Sequence, residues 1–299
     1  MLSFLPGPIK AVLTFGLILL NTVLLCVPLF SLSLFKVLVP IKFVQRLLAK
    51  CLVLIAESWV GINGLILGLM QRLNIDIKLP ESLGNSGWYL VTCNHQSWVD
   101  ILILQKIFWK EIPFLKFFLK QELIWVPFLG VAWWALDFPF MKRFSREYLE
   151  KHPEMKGKDL ETTKQACRKF RELPVSVMNF VEGTRFDETK RVKHKSNYAN
   201  LLNPKSGGVA FVLSAMGGQL QSMVDVTIVY HDKNFEFWDL MFGRVSDISV
   251  RIVERPIPEN MALGDYEGDP EFREQLQGWL GGIWQEKDDL ITQIKSEGN

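Results

Sequence analysis

His95 and Asp100 stand five residues apart in "VTCNHQSWVDILIL" (91–104), a stretch otherwise apolar enough for a protein core. An imidazole with a carboxylate in reach makes a base. The carboxylate fixes the Nδ1–H tautomer, stabilises the imidazolium and leaves Nε2 free to take a proton. The spacing requires a turn, because residues five apart on a continuous helix do not share a face. Ser97 suits an N-cap, with Asp100 in the first turn behind it and His95 just before the helix, where its ring can fold back. So short a pattern also fits a structural histidine beside a capping aspartate, and these residues alone leave both readings open. No G-x-S-x-G elbow accompanies them, and Cys93 sits in an apolar strand run. A base without its own nucleophile suits direct activation of a substrate hydroxyl, that is, transfer of a group to an alcohol. Two ligands make a poor metal site, and the sequence has no H-E-x-x-H or comparable cluster, which argues against a metal hydrolase.

A second cluster, "FVEGTRF" (180–186), puts a carboxylate, a glycine, a hydroxyl and a guanidinium at a strand end. Arg185 can fork onto phosphate, with Thr184 and the Gly183 amide as further donors. Glu182 cannot favour an anion and suits orienting an arginine or a substrate hydroxyl. Lys142-Arg143 forms a third cluster. Taken alone, each of these also fits an ordinary strand-to-loop turn.

These clusters need elements to position them. Short apolar runs at Trp88–Cys93, Trp133–Met141, Val175–Val181 and Val224–Tyr230 predict strands, with a weaker strand at Ile248–Val253. Helical spacing marks Trp98–Trp109, Gly157–Leu173 (stopped by Pro174), Gly207–Met216 and Glu271–Ile294, the last broken at Gly281–Gly282. Alternating strands and helices predict an α/β domain with a mixed, largely parallel sheet flanked by helices. Each polar cluster follows a strand, and ligands of open α/β sheets sit beyond the carboxyl ends of strands, so the three clusters are expected to converge.

The catalytic unit is placed at 73–299, after an N-terminal membrane-anchoring helical motif at 1–72. The run Ala11–Phe35 has no charged side chain and is long enough to cross a hydrocarbon core, with Pro28 a candidate kink. It lacks a basic leader and a cleavage pattern. Lys36, Lys42, Arg46 and Lys50 follow it; if the run spans, this asymmetry places the downstream chain on the cytoplasmic side of the membrane (the inner membrane, if bacterial). Leu52–Met70 is a second apolar stretch, but Glu57 is costly at a bilayer centre, so it is read as interfacial or half-inserted. The composition, 48% hydrophobic, is greasy for a water-soluble protein and too polar for a bundle of spans. A net charge of +2 predicts no nucleic-acid partner. Residues 141–205 nevertheless hold 16 Lys/Arg against 9 Asp/Glu, a block suited to anionic lipid, anionic substrate or solvent. The four cysteines form no C-x-x-C pair and no disulfide framework.

"NHQSWVD" (94–100) and "VEGTR" (181–185) resemble the first and third blocks of the glycerolipid acyltransferase family, above all its 1-acylglycerol-3-phosphate acyltransferases. "FPFMKR" (138–143) resembles the second block, and the likeness covers roughly 88–230. The resemblance implies a membrane-bound O-acyltransferase that moves a fatty acyl chain from acyl-CoA or acyl carrier protein to the sn-2 hydroxyl of lysophosphatidate, for phospholipid biosynthesis. It implies His95 as general base and Asp100 as its orienting partner. Asn94, Arg143, Glu182, Gly183, Thr184 and Arg185 would bind the substrate, with Lys205 of "NPKSGG" as a further basic residue. No metal or bound cofactor is implied. "VDVTIVYHD" (224–232) lacks the prolines usual in the fourth block. Alternatives are acylation of another lysophospholipid, or a non-catalytic membrane-binding protein on the same fold.

Overall fold

The computed structural model describes residues 2, 4–141, 170, 173–232, 235–262, 264–266 and 268–297. Arg143 lies outside them, as does the predicted 157–173 helix apart from Phe170 and Leu173.

Two long helices open the chain. Helix α1 (Gly7–Leu38) runs through Pro28 without interruption, and α2 (Lys42–Met70) follows after three residues. Both are long and apolar enough to cross a membrane. They form an antiparallel hairpin: the Leu2 amide donates to the Leu69 carbonyl, 2.8 Å. Polar pairs lock the two helices in register. The Asn21 amide donates to Asn63 Oδ1 (2.8 Å), and the Trp59 indole donates to Thr22 Oγ1 (2.9 Å). The hairpin lies along the rest of the chain. Near its tip, Lys36 pairs with Asp137 at 2.6 Å. At its other end, Gln71 donates to the Met241 carbonyl at 3.1 Å.

A six-stranded sheet follows, built from β1 (Asn74–Lys78), β2 (Tyr89–Cys93), β3 (Leu115–Phe117), β6 (Ser176–Phe180), β7 (Ser222–Tyr230) and β8 (Asp247–Arg255). Its order is β1-β8-β7-β2-β6-β3. All neighbours are parallel except β7 and β8. Strands β2 and β7 are buried on both faces, which is why they read as near-continuous apolar runs. Helix α3 (Val99–Phe108) covers one face. Helices α6 (Ser206–Met216) and α9 (Pro270–Glu297) cover the other. The short helix α5 (Glu188–Lys193) lies between β6 and α6 in the chain, and the short helices α7 (Phe237–Phe242) and α8 (Glu259–Ala262) precede and follow β8.

Two predicted elements are corrected. The expected strand over 133–141 is instead helix α4 (Leu129–Ala135), followed by a two-residue strand β5 (Phe140–Met141) paired with β4 (Leu119–Lys120). An unbroken apolar run carries no period to separate the two forms. Helix α9 does not break at Gly281–Gly282. Leu280, Ile283 and Trp284 around the pair are buried in the core. That packing outweighs the helix penalty of glycine, about 1 kcal/mol each.

Candidate active site

Register brings the two sequence clusters together. Strands β2 and β6 are parallel neighbours with Cys93 opposite Phe180. His95 and Glu182 each lie two residues beyond, at the carboxyl edge where such sheets place ligands.

The five-residue spacing between His95 and Asp100 closes in a turn. His95 Nδ1 lies 2.8 Å from Asp100 Oδ2. The same oxygen accepts the backbone amides of Gln96 (2.7 Å) and Ser97 (3.0 Å). The Ser97 hydroxyl accepts from the Val99 amide at 3.3 Å, but α3 starts at Val99 with Trp98 in the cap position, one residue later than the expected Ser97. Tyr230, at the end of β7, donates its hydroxyl to Asp100 Oδ1 at 2.7 Å. Asp100 is therefore fully buried yet held by four donors, a set that satisfies a carboxylate. Burial and the Asp100 charge push the Tyr230 hydroxyl well above its ordinary range, so it stays a donor. The His95 ring stacks on Phe180, with centroids 3.9 Å apart and planes 15° apart. With Nδ1 engaged by Asp100 and the ring 13% exposed, Nε2 is the nitrogen left for chemistry. Cys93 is fully buried, and burial pushes its thiol well up, which disfavours the thiolate that a nucleophile requires.

Two expected substrate ligands have other work. Asn94 is completely buried; its amide donates to the Ile228 carbonyl and accepts from the Ile228 amide, both at 2.9 Å. It ties the end of β2 to β7. Glu182 is also completely buried. Its carboxylate accepts the His95 amide at 2.9 Å and the Leu202 amide at 2.8 Å. It braces the His95 turn against the 194–205 loop. Burial raises the Glu182 carboxyl to about 7, while its two amide donors and Lys287 oppose that rise.

Gly183, Thr184 and Arg185 line one cavity with His95, and Lys205 lies against Gly183. Gly183 has φ +69°, a conformation that costs side-chain-bearing residues energy. A Cβ there would stand 3.3 Å from the Lys205 side chain, so Lys205 lies against this turn. The Lys205 amide donates to the Val181 carbonyl at 2.8 Å, which fixes the approach. Arg185 is exposed, its guanidinium 4.9 Å from the Trp98 ring centre. That stacking holds the charge at the mouth of the site. Sequence reasoning missed Tyr230, Phe180 and Trp98 as site residues. Tyr230 carried one usable signal: a hydroxyl ending an apolar strand must find a partner when buried.

His95, Thr184 and Arg185 open into a cavity of about 670 Å³. Its walls are largely apolar: Leu25 and Leu29 of α1, Ile55 and Trp59 of α2, Ala132 of α4 and Leu136 just past it. The helical hairpin is thus part of the site as well as an appendage to it.

A carboxylate-oriented histidine at the mouth of an apolar cavity suits general-base chemistry on a long apolar substrate. A family model for acyltransferases matches residues 74–230, more than half of the chain, and the chain belongs to that family. It is similar to the 1-acyl-sn-glycerol-3-phosphate acyltransferase gamma of Homo sapiens, 26% identical over 190 residues, 60% of this chain and 45% of that protein. It also resembles the 2-acyl-1-lysophosphatidylinositol acyltransferase of Saccharomyces cerevisiae, 25% identical over 243 residues, 69% of this chain and 61% of that protein. The match spans less than two thirds of the length of either relative. Among solved structures, the 1-acyl-sn-glycerophosphate (LPA) acyltransferase PlsC from Thermotoga maritima superposes with a TM-score of 0.54. It covers 97% of this chain and 98% of its own at 17% identity, a likeness of fold.

Proposed function

We propose that the chain is an O-acyltransferase that moves a fatty acyl group from a thioester, acyl-CoA or acyl carrier protein, to the sn-2 hydroxyl of lysophosphatidate. The observation that carries this reading is the His95–Asp100 pair at the mouth of the apolar cavity. His95 Nε2 takes the proton of the acceptor hydroxyl as that oxygen attacks the thioester carbonyl carbon. The carbon–sulfur bond breaks, and the departing thiolate takes the proton back from the imidazolium. Asp100 stabilises the imidazolium between these two transfers. The cavity receives the acyl chain. Arg185, Thr184, the Gly183 amide and Lys205 supply charge and donors for the acceptor phosphate, and Arg143 joins them on the strength of the family motif.

The hairpin α1–α2 anchors the enzyme, and we place it in one leaflet instead of across the bilayer. Its tip pairs with Asp137 of the catalytic unit, and its middle walls the cavity, so it runs alongside the domain. Two crossings would carry that tip away from Asp137. The active face then meets the cytoplasmic side, where a water-soluble thioester reaches His95 and a lysolipid arrives from the membrane. The yeast relative makes lysophosphatidylinositol the second acceptor to consider.

Purified full-length protein in vesicles, given each donor with a panel of lysolipids, tests the assignment. The expected product is phosphatidate with the new ester at sn-2. Transfer to lysophosphatidylinositol in preference to lysophosphatidate would move the acceptor assignment, and no transfer from either thioester would overturn the activity.

A further inference from the structure

From Leu123 to Leu136 the chain carries fourteen residues without one charged, amide or hydroxyl side chain. This stretch forms a 3-10 turn and helix α4. One face of α4, at helical spacing, lines the cavity through Leu129, Ala132, Trp133 and Leu136. The opposite face is apolar too and faces outward, with Val131 48% and Trp134 50% exposed, and the turn leading into it adds Trp125 at 85% and Phe128 at 51%. A helix that is apolar all round belongs in a core or in lipid, and exposed apolar patches of this kind mark an interaction surface. The segment is tightly built. A Cβ at Gly130 would collide with the Ile124 carbonyl, so the turn closes on the helix with no room for a side chain.

What covers this face follows from its neighbours. Ala132, Ala135 and Leu136 share one apolar cluster with Cys26 and Leu29 of α1 and with Leu52 and Ala56 of α2. The outer faces of the hairpin are apolar and exposed as well, as at Leu24 (60%) and Val27 (64%). The α4 segment therefore continues the surface by which the hairpin meets the membrane. We propose that residues 123–136 form a third, non-spanning membrane element, seated in the lipid of the same leaflet as the hairpin. Helix α4 is then the partition between bilayer and cavity. Lipid-borne substrate reaches His95 by passing this wall instead of crossing water. The proposal rests on the membrane reading of the hairpin and adds a contact made by the catalytic unit itself.

Benzoylphenylalanine placed singly at Trp125 and at Leu24 in the full-length chain, irradiated in phosphatidylcholine vesicles, tests it. The proposal expects lipid adducts from both positions. Adducts at Leu24 with none at Trp125 overturn it and leave the hairpin anchor standing. Adducts at neither position overturn both. A protein dimer trapped through Trp125 overturns it in favour of a second copy of this chain. A double variant, Trp125→Gln with Val131→Gln, supplies the functional reading, since neither side chain lines the cavity. Turnover on vesicle-borne acceptor should fall about tenfold, while turnover on the same acceptor in detergent micelles holds. Equal loss in both media would assign the segment a structural role only and overturn the proposal.

Discussion

Replacing Glu182 by Gln separates the bracing role of this carboxyl from a substrate-binding one. Burial holds the Glu182 carboxyl at about 7 against an ordinary 4.5. The folded chain therefore binds a proton that the unfolded chain has released between those values, and wild-type stability falls as pH rises through that window. At 1.36 kcal/mol per pH unit the fall is about 3 kcal/mol. Gln does not ionise, so the variant loses this dependence. It has its own cost, because its amide NH₂ must face either the His95 or the Leu202 amide, donor against donor. That costs about 1–3 kcal/mol at every pH. The variant should thus be less stable than wild type near pH 5 and equal to it, or more stable, near pH 8. Unfolding of both full-length proteins in one detergent, followed by tryptophan fluorescence from pH 5 to 8, reads the crossing. Catalysis should drop at all pH values, since the amide of His95 loses part of its support. Parallel stability curves for the two proteins would refute the buried-carboxyl argument.

Other substitutions test the rest of the site. Asp100→Asn keeps an oxygen for the Gln96 and Ser97 amides but removes the charge opposite His95; kcat should fall by about 10²–10⁴-fold with a smaller change in acceptor KM, as initial rates will show. Arg185→Lys keeps the charge and loses the planar fork; acceptor KM should rise while donor KM holds, and a rise in donor KM alone would move Arg185 to the thioester site. Gly183→Ala forces a side chain into φ +69° against Lys205; it should lower stability by about 1–2 kcal/mol and raise acceptor KM, measurable by denaturant unfolding and by kinetics.

Much of the architecture was legible because the physics is local. The four main strands between residues 88 and 253 are apolar runs of strand length, and α3 announces itself by its spacing. The edge strands β1 and β3 escaped notice because they are short, and β1 is mostly exposed. Helix α4 was misread because its apolar residues occupy both faces, which erases the period that distinguishes helix from strand. In the site, the link between His95 and Asp100 could be reasoned from a turn. The duties of Asn94 and Glu182 could not, because each is spent on a partner far along the chain, Ile228 and Leu202 respectively. Tyr230 lies 130 residues from the carboxylate it holds, and only the order of β2 and β7 in the sheet brings them together.

The central claim is that His95 is the base that activates the acceptor hydroxyl. The direct measurement compares sn-2 acylation of lysophosphatidate by full-length wild type and His95→Ala in the same vesicles, with unfolding followed in parallel. The account predicts an unchanged fold and a rate lower by about 10²–10⁴-fold or more. A folded His95→Ala protein that still transfers the acyl chain at near wild-type rate would contradict it.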